Sequence, residues 1–386
     1  MTGRFTEAEM RRRLGAARDF MAGDDLDALL VYGAGSQNAD LCWLSNHRDP
    51  HGAHLVVPRD GEPTLFVAFL NHLPNARERS AVPAEWGGYR PWEKVVAALR
   101  AAGARRVGLV GGRASYGFGM PYLHHLALRE LAPELELTDV TAGFDELLLV
   151  KSGEEVAALR QSAALTDLAL AALAEQTRVG MTEHELVARA EFAYRRAGGE
   201  VGITYLRSMA MADPSGIVPA QRAAGRRIER GDVIICELSA SSWGYSGQVL
   251  WPVFVGADPT PEWQRLFDAA LAAFQGMRGA VRDGASVADA IAAAEPIRAA
   301  GYSICDSLLH GFGLGLHPPY VDPEEFHHPP EDGGARFAAG MAVVLQPNPI
   351  TPDQRMGIQL GALTVVTDRG AECLHAVPSG PLIAEG

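Results

Sequence analysis

Residues 231–256, GDVIICELSASSWGYSGQVLWPVFVG, place one carboxylate in an otherwise apolar stretch. Side chains alternate along a strand, so Val233, Ile235, Glu237 and Ser239 share one face, and Gln248, Leu250 and Pro252 share a face of the returning strand. The stretch reads as a hairpin around a tight polar turn, with the Gln248 amide near Glu237 across it. Burial of a carboxyl group among apolar side chains raises its pKa toward neutrality, which is how general acids and bases are made. A second such group stands in HGFGLGLHPP, where His310 follows two leucines and precedes a glycine run that lets its ring reach a cavity. Other motifs are weaker. Cys42, Cys236, Cys305 and Cys373 lack the CxxC spacing of zinc or redox sites and are expected to be reduced thiols. GGRASYGFG (111–119) has neither the lysine nor the spacing of a phosphate loop and reads as a plain turn.

The elements that must position these groups fall into two blocks. In the first, DALLVYG (27–33) reads as a buried strand and HLVVPRDGEPTLFVA (54–68) as a hairpin around a DG turn. A helix over 91–104, a strand over 106–112 and a helix over 121–131 complete an α/β pattern. Near residue 148 the pattern changes. A long amphipathic helix opens at KSGEEVAALRQSAALTD, and TEHE (182–185) is a capping box for the next. After the hairpin come helices near 261–283 and 287–300, the strand MAVVLQPNPIT (341–351) and two further strands. Helices followed by antiparallel strands predict an α+β second domain. The expected domains are 1–148 and 149–386.

A chain of 386 residues, 47% hydrophobic and 21% charged, has the composition of a globular protein. Its formal charge of −13 argues against nucleic-acid and anionic-membrane partners, which want a basic patch. The start is charged and lacks the apolar core of a signal peptide, and no run approaches the ~18–20 apolar residues of a membrane helix. A cytoplasmic protein is expected.

Five stretches in register resemble the creatinase/prolidase family, the Xaa-Pro peptidase-like pita-bread fold. FDELLLVKSGEEVAALRQSAALTD is similar to the family's entry into its catalytic domain, and RRIERGDVIICELSASSWGYSGQVLWPVFVG to its first metal-site hairpin. HGFGLGLHPP resembles the HGxGLxxH segment; GMAVVLQPNPIT and MGIQLGALTVVTDRGAECLH resemble the last strands. The resemblance implies a creatinase-like N-terminal α/β domain, a pita-bread α+β catalytic domain and a homodimer. It also exposes departures. Metal-dependent members use two Asp, one His and two Glu around two divalent ions; the matching positions here are Glu237, Gln248, His310, Gln346 and Gly361. One carboxylate and one imidazole are too few for two hard dications. The histidine that creatinase uses falls at Ala220, and its two guanidinium-binding glutamates fall at Leu250 and Gln346.

On this basis the sequence resembles a metal-independent branch of the creatinase or ectoine hydrolase kind. The reading is a hydrolase that cleaves an amide, amidine or ureido C–N bond of a small polar metabolite without metal or other cofactor. Glu237 and His310 are its expected acid/base residues, and His317, Gln248, Gln346, Tyr205 and Arg48 its expected substrate-binding residues. His317 sits where relatives place a second histidine, Tyr205 in a pocket-lining segment, and Arg48, with His51, where creatinase reaches a substrate carboxylate. Arg207, Asp213, His327 and His328 are expected to be structural or surface groups. The alternatives are an Xaa-Pro metallopeptidase with an atypical metal site, a lyase, and a non-catalytic pita-bread binding protein.

Overall fold

The computed structural model describes residues 5–35, 38–48, 51–111 and 119–386, and divides into two compact units at residues 148/149. Most of the GGRASYGFG turn (112–118) lies outside the described residues.

The first unit is built on a sheet of β1 (Ala28–Gly33), β2 (Ala53–Pro58), β3 (Thr64–Val67), β4 (Ala84–Trp86), β5 (Arg106–Val110) and β6 (Glu136–Asp139). Its order is β4-β3-β2-β1-β5-β6, with β1 antiparallel to β2 and parallel to β5. The apolar run ALLVYG is buried along its whole length, as a central strand covered on both faces must be. Helices Trp92–Ala101 and Tyr122–Leu131 form where the apolar positions recur at helical spacing. Val95, Val96, Leu99 and Leu128 join the sheet's Leu30, Val56 and Val107 in one core.

The second unit carries the larger sheet. Its strands are β7 (Glu200–Ala210), β8 (Asp232–Ser242), β9 (Tyr245–Ser246), β10 (Val249–Leu250), β11 (Val253–Val255), β12 (Leu309–Phe312), β13 (Leu316–Val321), β14 (Ala342–Leu345), β15 (Gly361–Val366), β16 (Ala371–Cys373) and β17 (Leu382–Ala384). The order is β13-β12-β14-β15-β10-β8-β11-β17, with β7 and β9 also paired to β8 and β16 to β15. Helices Gly153–Gln176, Glu183–Arg195 and Pro261–Ala280 pack their apolar faces into the same core as this sheet.

Three expectations shift in detail. The helix expected over 287–300 is two short helices, Val287–Ala293 and Glu295–Ala299; Pro296, which has no N–H for a helix ladder, opens the second. The strand expected over 341–351 stops at Leu345, before Pro347 and Pro349, which cannot donate to a ladder. Gly153–Gln176, contrary to expectation, is long and apolar enough to cross a membrane by length and composition. Among its buried positions, Leu165, Ala169, Leu170 and Leu173 join the core of the second unit.

Candidate functional site

The site begins with how β8 is held. Asp232, at its start, is buried and takes a bidentate pair from Arg226 at 2.5 and 2.8 Å plus the Glu229 N–H at 2.8 Å. The strand ends in a two-residue turn at Trp243 and Gly244, both at positive φ (54° and 81°), the pattern of a hairpin whose twist matches its strands. The returning strand breaks between Ser246 and Val249 because the long helix crosses there. A Cβ on Gly247 would lie 2.6 Å from the Ala163 nitrogen, so only glycine fits. Ser162 Oγ donates to Tyr245 O (2.7 Å), the Ala240 N–H donates to Thr166 Oγ1 (2.9 Å), and Tyr245 OH donates to Glu155 (2.6 Å). This clamp fixes the residue after Gly247, and Gln248 Nε2 donates to Glu237 Oε1 at 2.9 Å.

Directly opposed residues of paired strands share a face. Tyr205 and Leu250 both oppose Glu237, Gly361 opposes Leu250, and Leu345 opposes Ala362. His310 opposes Val344, two residues before Gln346. One face of six adjacent strands therefore carries, in order, Tyr205, Glu237 with Gln248, Gly361, Gln346 and His310. Gln248 Nε2 also reaches Gln346 Oε1 at 3.5 Å, and Gln346 Nε2 donates to Ser307 O at 2.9 Å.

Burial sets the electrostatics. Glu237 is half-buried, and desolvation, reinforced by the nearby Asp306 charge, raises its pKa to about 7. At neutral pH it can both take and give a proton. His310 Nδ1 lies 3.1 Å from Gly311 O; a carbonyl only accepts, so Nδ1 carries the hydrogen, and the Gln346 side chain is the ring's other hydrogen-bond partner. Desolvation holds this ring neutral, its pKa lowered to about 4. His317 is reached through a register shift between His310 and Gly311 that sets Gly311 opposite it. It is buried, its pKa is lowered by desolvation and by Lys151 and His310, and its Nε2 has no partner. Lys151 is buried beside it, and desolvation lowers its pKa to about 8 against the pull of Glu155.

Three members of the cluster carried no clear sequence signal. Asp306, in the segment ahead of β12, has its pKa raised to about 6 by desolvation against its hydrogen bonds. Asn348 Nδ2 donates to Asp306 Oδ2 at 3.0 Å, and the Leu360 N–H holds Asn348 Oδ1 at 2.9 Å. Gln359, fully buried, lies against Asp306. A faint signal existed in the alternation: Asn348 stands two residues from Gln346, and Gln359 two from Gly361.

The other candidates have contacts of their own. Arg207 donates to Val218 O at 3.1 Å, Asp213 makes an exposed pair with Arg355, and His327 meets Ser303 Oγ at 2.8 Å. Ala220 accepts the Leu206 N–H through its carbonyl. Arg48 and His51 belong to the first unit, where His51 packs on Phe69 and His72.

The donor set does not fit a pair of divalent ions. Among the described residues no group of three or more His, Cys, Asp or Glu is arranged to hold a metal. Gly361 is more than a missing ligand: a Cβ there would lie 2.2 Å from Leu345 O and 2.7 Å from Gln346 Cα. The strands have closed over the space a carboxylate side chain would leave from.

Comparison with known proteins places the whole chain. The pattern described as Creatinase/Prolidase N-terminal domain matches residues 13–150, and that of Metallopeptidase family M24 matches residues 157–368. The Xaa-Pro dipeptidase of Pyrococcus furiosus is 23% identical over 369 residues, covering 95% of this chain and 98% of its own. The crystal structure of the prolidase from Pyrococcus horikoshii OT3 superposes with a TM-score of 0.79 at 22% identity, covering 95% of this chain and 99% of that one. The dipeptidase PepE from Mycobacterium ulcerans gives 0.78 at 26%, covering 98% and 99%.

These findings correct the functional expectation. A metal-independent hydrolase of an amidine, ureido or other small polar metabolite does not fit relatives that are Xaa-Pro dipeptidases along nearly their full length; the Xaa-Pro peptidase alternative is the better supported. The missing carboxylates speak about two ions at five positions. They do not specify which bond is cleaved or that cleavage is metal-free. With both domain patterns matched in order, one of them over more than half its length, this chain belongs to metallopeptidase family M24, with a creatinase/prolidase N-terminal domain and the two-domain pita-bread architecture.

Proposed function

We propose that this protein hydrolyses the peptide C–N bond of short peptides of the Xaa-Pro kind, from a site that departs from the family's two-ion arrangement. The observation that supports it most is Glu237, half-buried, with a pKa near 7, in one row with Gln248, Gln346 and His310. As carboxylate, Glu237 takes a proton from the attacking water; as carboxylic acid, it returns that proton to the departing nitrogen. One water is consumed and the carboxylate is regenerated. The neutral His310 bonds to the Gln346 side chain, and the glutamine amides hold polar substrate atoms without adding charge. Tyr205, opposite Glu237, and His317, whose ring feels the charge of His310, complete the proposed binding residues. Homodimerisation and a cytoplasmic location belong to the same proposal, as does carboxylate recognition by Arg48.

Release of proline from Ala-Pro and Leu-Pro tests the reading, with Ala-Ala as control. Each is assayed in chelator and with manganese, cobalt or zinc supplied. Proline release in at least one condition, abolished by Glu237→Gln, is the expected result. No release in any of them overturns the reading. Sedimentation should give two chains per particle at micromolar concentration, and a monomer would remove the homodimer.

A further inference from the structure

The first unit contains a cavity of about 440 Å³, within the ~300–1,000 Å³ range of small-molecule sites, at one end of its sheet. Tyr32 reaches it from the end of β1, His54 from the start of the antiparallel β2, Phe69 from just after β3 and Tyr89 from just after β4. His124 reaches it from the helix that follows β5. Strands β1, β3, β4 and β5 run the same way, so the cavity lies at their carboxyl ends. At β1 the strand order also switches, with β2, β3 and β4 on one side of it and β5 and β6 on the other. Open α/β sheets bind their ligands in the crevice at such a point.

The lining is aromatic, and its polar atoms lack partners. Ring centres lie 5.0 Å apart for Tyr32 and His54, 5.2 Å for His54 and His124, and 5.8 Å for Tyr32 and His124. Phe69 and Tyr89 add a second pair, edge to face at 5.8 Å. His54 is 3% exposed and Tyr32 7%, yet among the described residues neither side chain makes a hydrogen bond. His124 Nδ1 is buried and equally without a partner. A Cβ on Gly52 would lie 2.8 Å from the Tyr32 hydroxyl, so the glycine leaves that hydroxyl uncovered. Desolvation keeps both imidazoles neutral, lowering the pKa of His124 and, with the help of His124, that of His54 to about 3. Among the described residues no Asp, Glu, Lys or Arg lines the cavity.

These features define what fits. Aromatic walls favour a flat ring that stacks on them by its face. Buried phenol and neutral imidazole groups want hydrogen-bond partners, and each can donate or accept, so the ring's edge should carry donors and acceptors. A carboxylate, phosphate or ammonium entering the cavity would lose its hydration and meet no counter-charge. We propose that the cavity bounded by Tyr32, His54, His124, Phe69 and Tyr89 binds an uncharged heteroaromatic ring of the nucleobase kind, with Tyr32 and His124 bonding its edge. The site is built wholly from the first unit, and the proposal goes beyond the peptidase reading without depending on it.

Calorimetry with adenine, indole and benzoate tests it. Adenine is flat and uncharged with donors and acceptors on its edge; indole is as flat but carries a lone N–H; benzoate is charged. The wild type should bind adenine at one site per chain, at least about tenfold more tightly than indole or benzoate, because unpaired polar groups reject a ligand that leaves them unpaired. Tyr32→Phe and His124→Phe keep a ring in place and remove an edge partner, so each should weaken adenine binding by at least about fivefold. Hydrogen exchange of the wild type locates the site without any variant. Adenine should slow exchange in segments 52–54 and 122–125 and leave 231–256 unchanged. No adenine binding, a smaller preference, unchanged affinity in either variant, or protection at 231–256 instead overturns the inference. Failure of the proline assay leaves it standing.

Discussion

Glu237→Gln should make the protein more stable above neutral pH and no more stable in acid. In an unfolded chain this carboxyl titrates near its ordinary value of 4.5; in the fold its pKa is about 7. The folded state therefore holds the proton over a range where the unfolded state has lost it, and stability falls as pH rises from about 4.5 to about 7. Above 7 the penalty is complete. The difference of two and a half pH units corresponds to about 3 kcal/mol at pH 8, an upper figure because water reaches the half-buried group. Glutamine keeps the shape and still accepts from Gln248 Nε2, so the variant removes the charge and little else. Urea unfolding of both proteins at pH 4 and pH 8 measures the two differences. The variant should gain up to about 3 kcal/mol at pH 8 and roughly nothing at pH 4. A loss at pH 8, or a gain of equal size at both pH values, would refute the claim that desolvation of an acid dominates this position.

Three other outcomes follow from the same geometry. His310→Ala should lower kcat, and the Glu237→Gln/His310→Ala double variant should cost little beyond the worse single one, since groups that act as one unit are non-additive; additive losses of kcat would separate them. Gly361→Ala should lose about 1–3 kcal/mol of stability by overpacking against Leu345 O and Gln346, read as a lower urea midpoint. Gly361→Glu, for the same reason, should bind no additional zinc or manganese by calorimetry, and tight new binding would show that the strands can part. Asp232→Ala should cost about 1–3 kcal/mol by stranding the Arg226 guanidinium and the Glu229 N–H, whereas an unchanged urea midpoint would make that pair dispensable.

What was legible in the chain is what neighbouring residues decide. The apolar run of β1, the helix that opens at Ser152 and the hairpin of β8 are local patterns, and each forms where it was expected. The approach of Gln248 to Glu237 was legible for the same reason, because one tight turn fixes the register of both strands. Asp306 was not. In CDSLLH it looks like any loop acid, and its burial comes from Asn348 and Gln359, some forty and fifty residues further on. The closing of Leu345 and Gln346 over Gly361 was equally hidden, since a glycine in sequence shows the absent side chain and not the backbone pressed against it. The functional expectation erred because five positions were weighed above the likeness of the whole chain.

The fastening of the long helix to the hairpin makes this part of the molecule mechanically stiff. Glu155, Ser162 and Thr166 lie along one side of the helix, two turns and then one turn apart, and grip Tyr245 and Ala240 through carboxylate and hydroxyl bonds, and Gly247 lets the two backbones touch. A helix advances 1.5 Å per residue, so sliding it by a single residue would break all three bonds together and drive a side chain into Gly247. Small loads on the helix are thus passed whole to the hairpin, and the Gln248 amide rides with it as the tip of a rigid arm. A force that bends Gln248 away from Glu237 must first detach the helix, so that contact should outlast softer ones when the protein is pulled or heated.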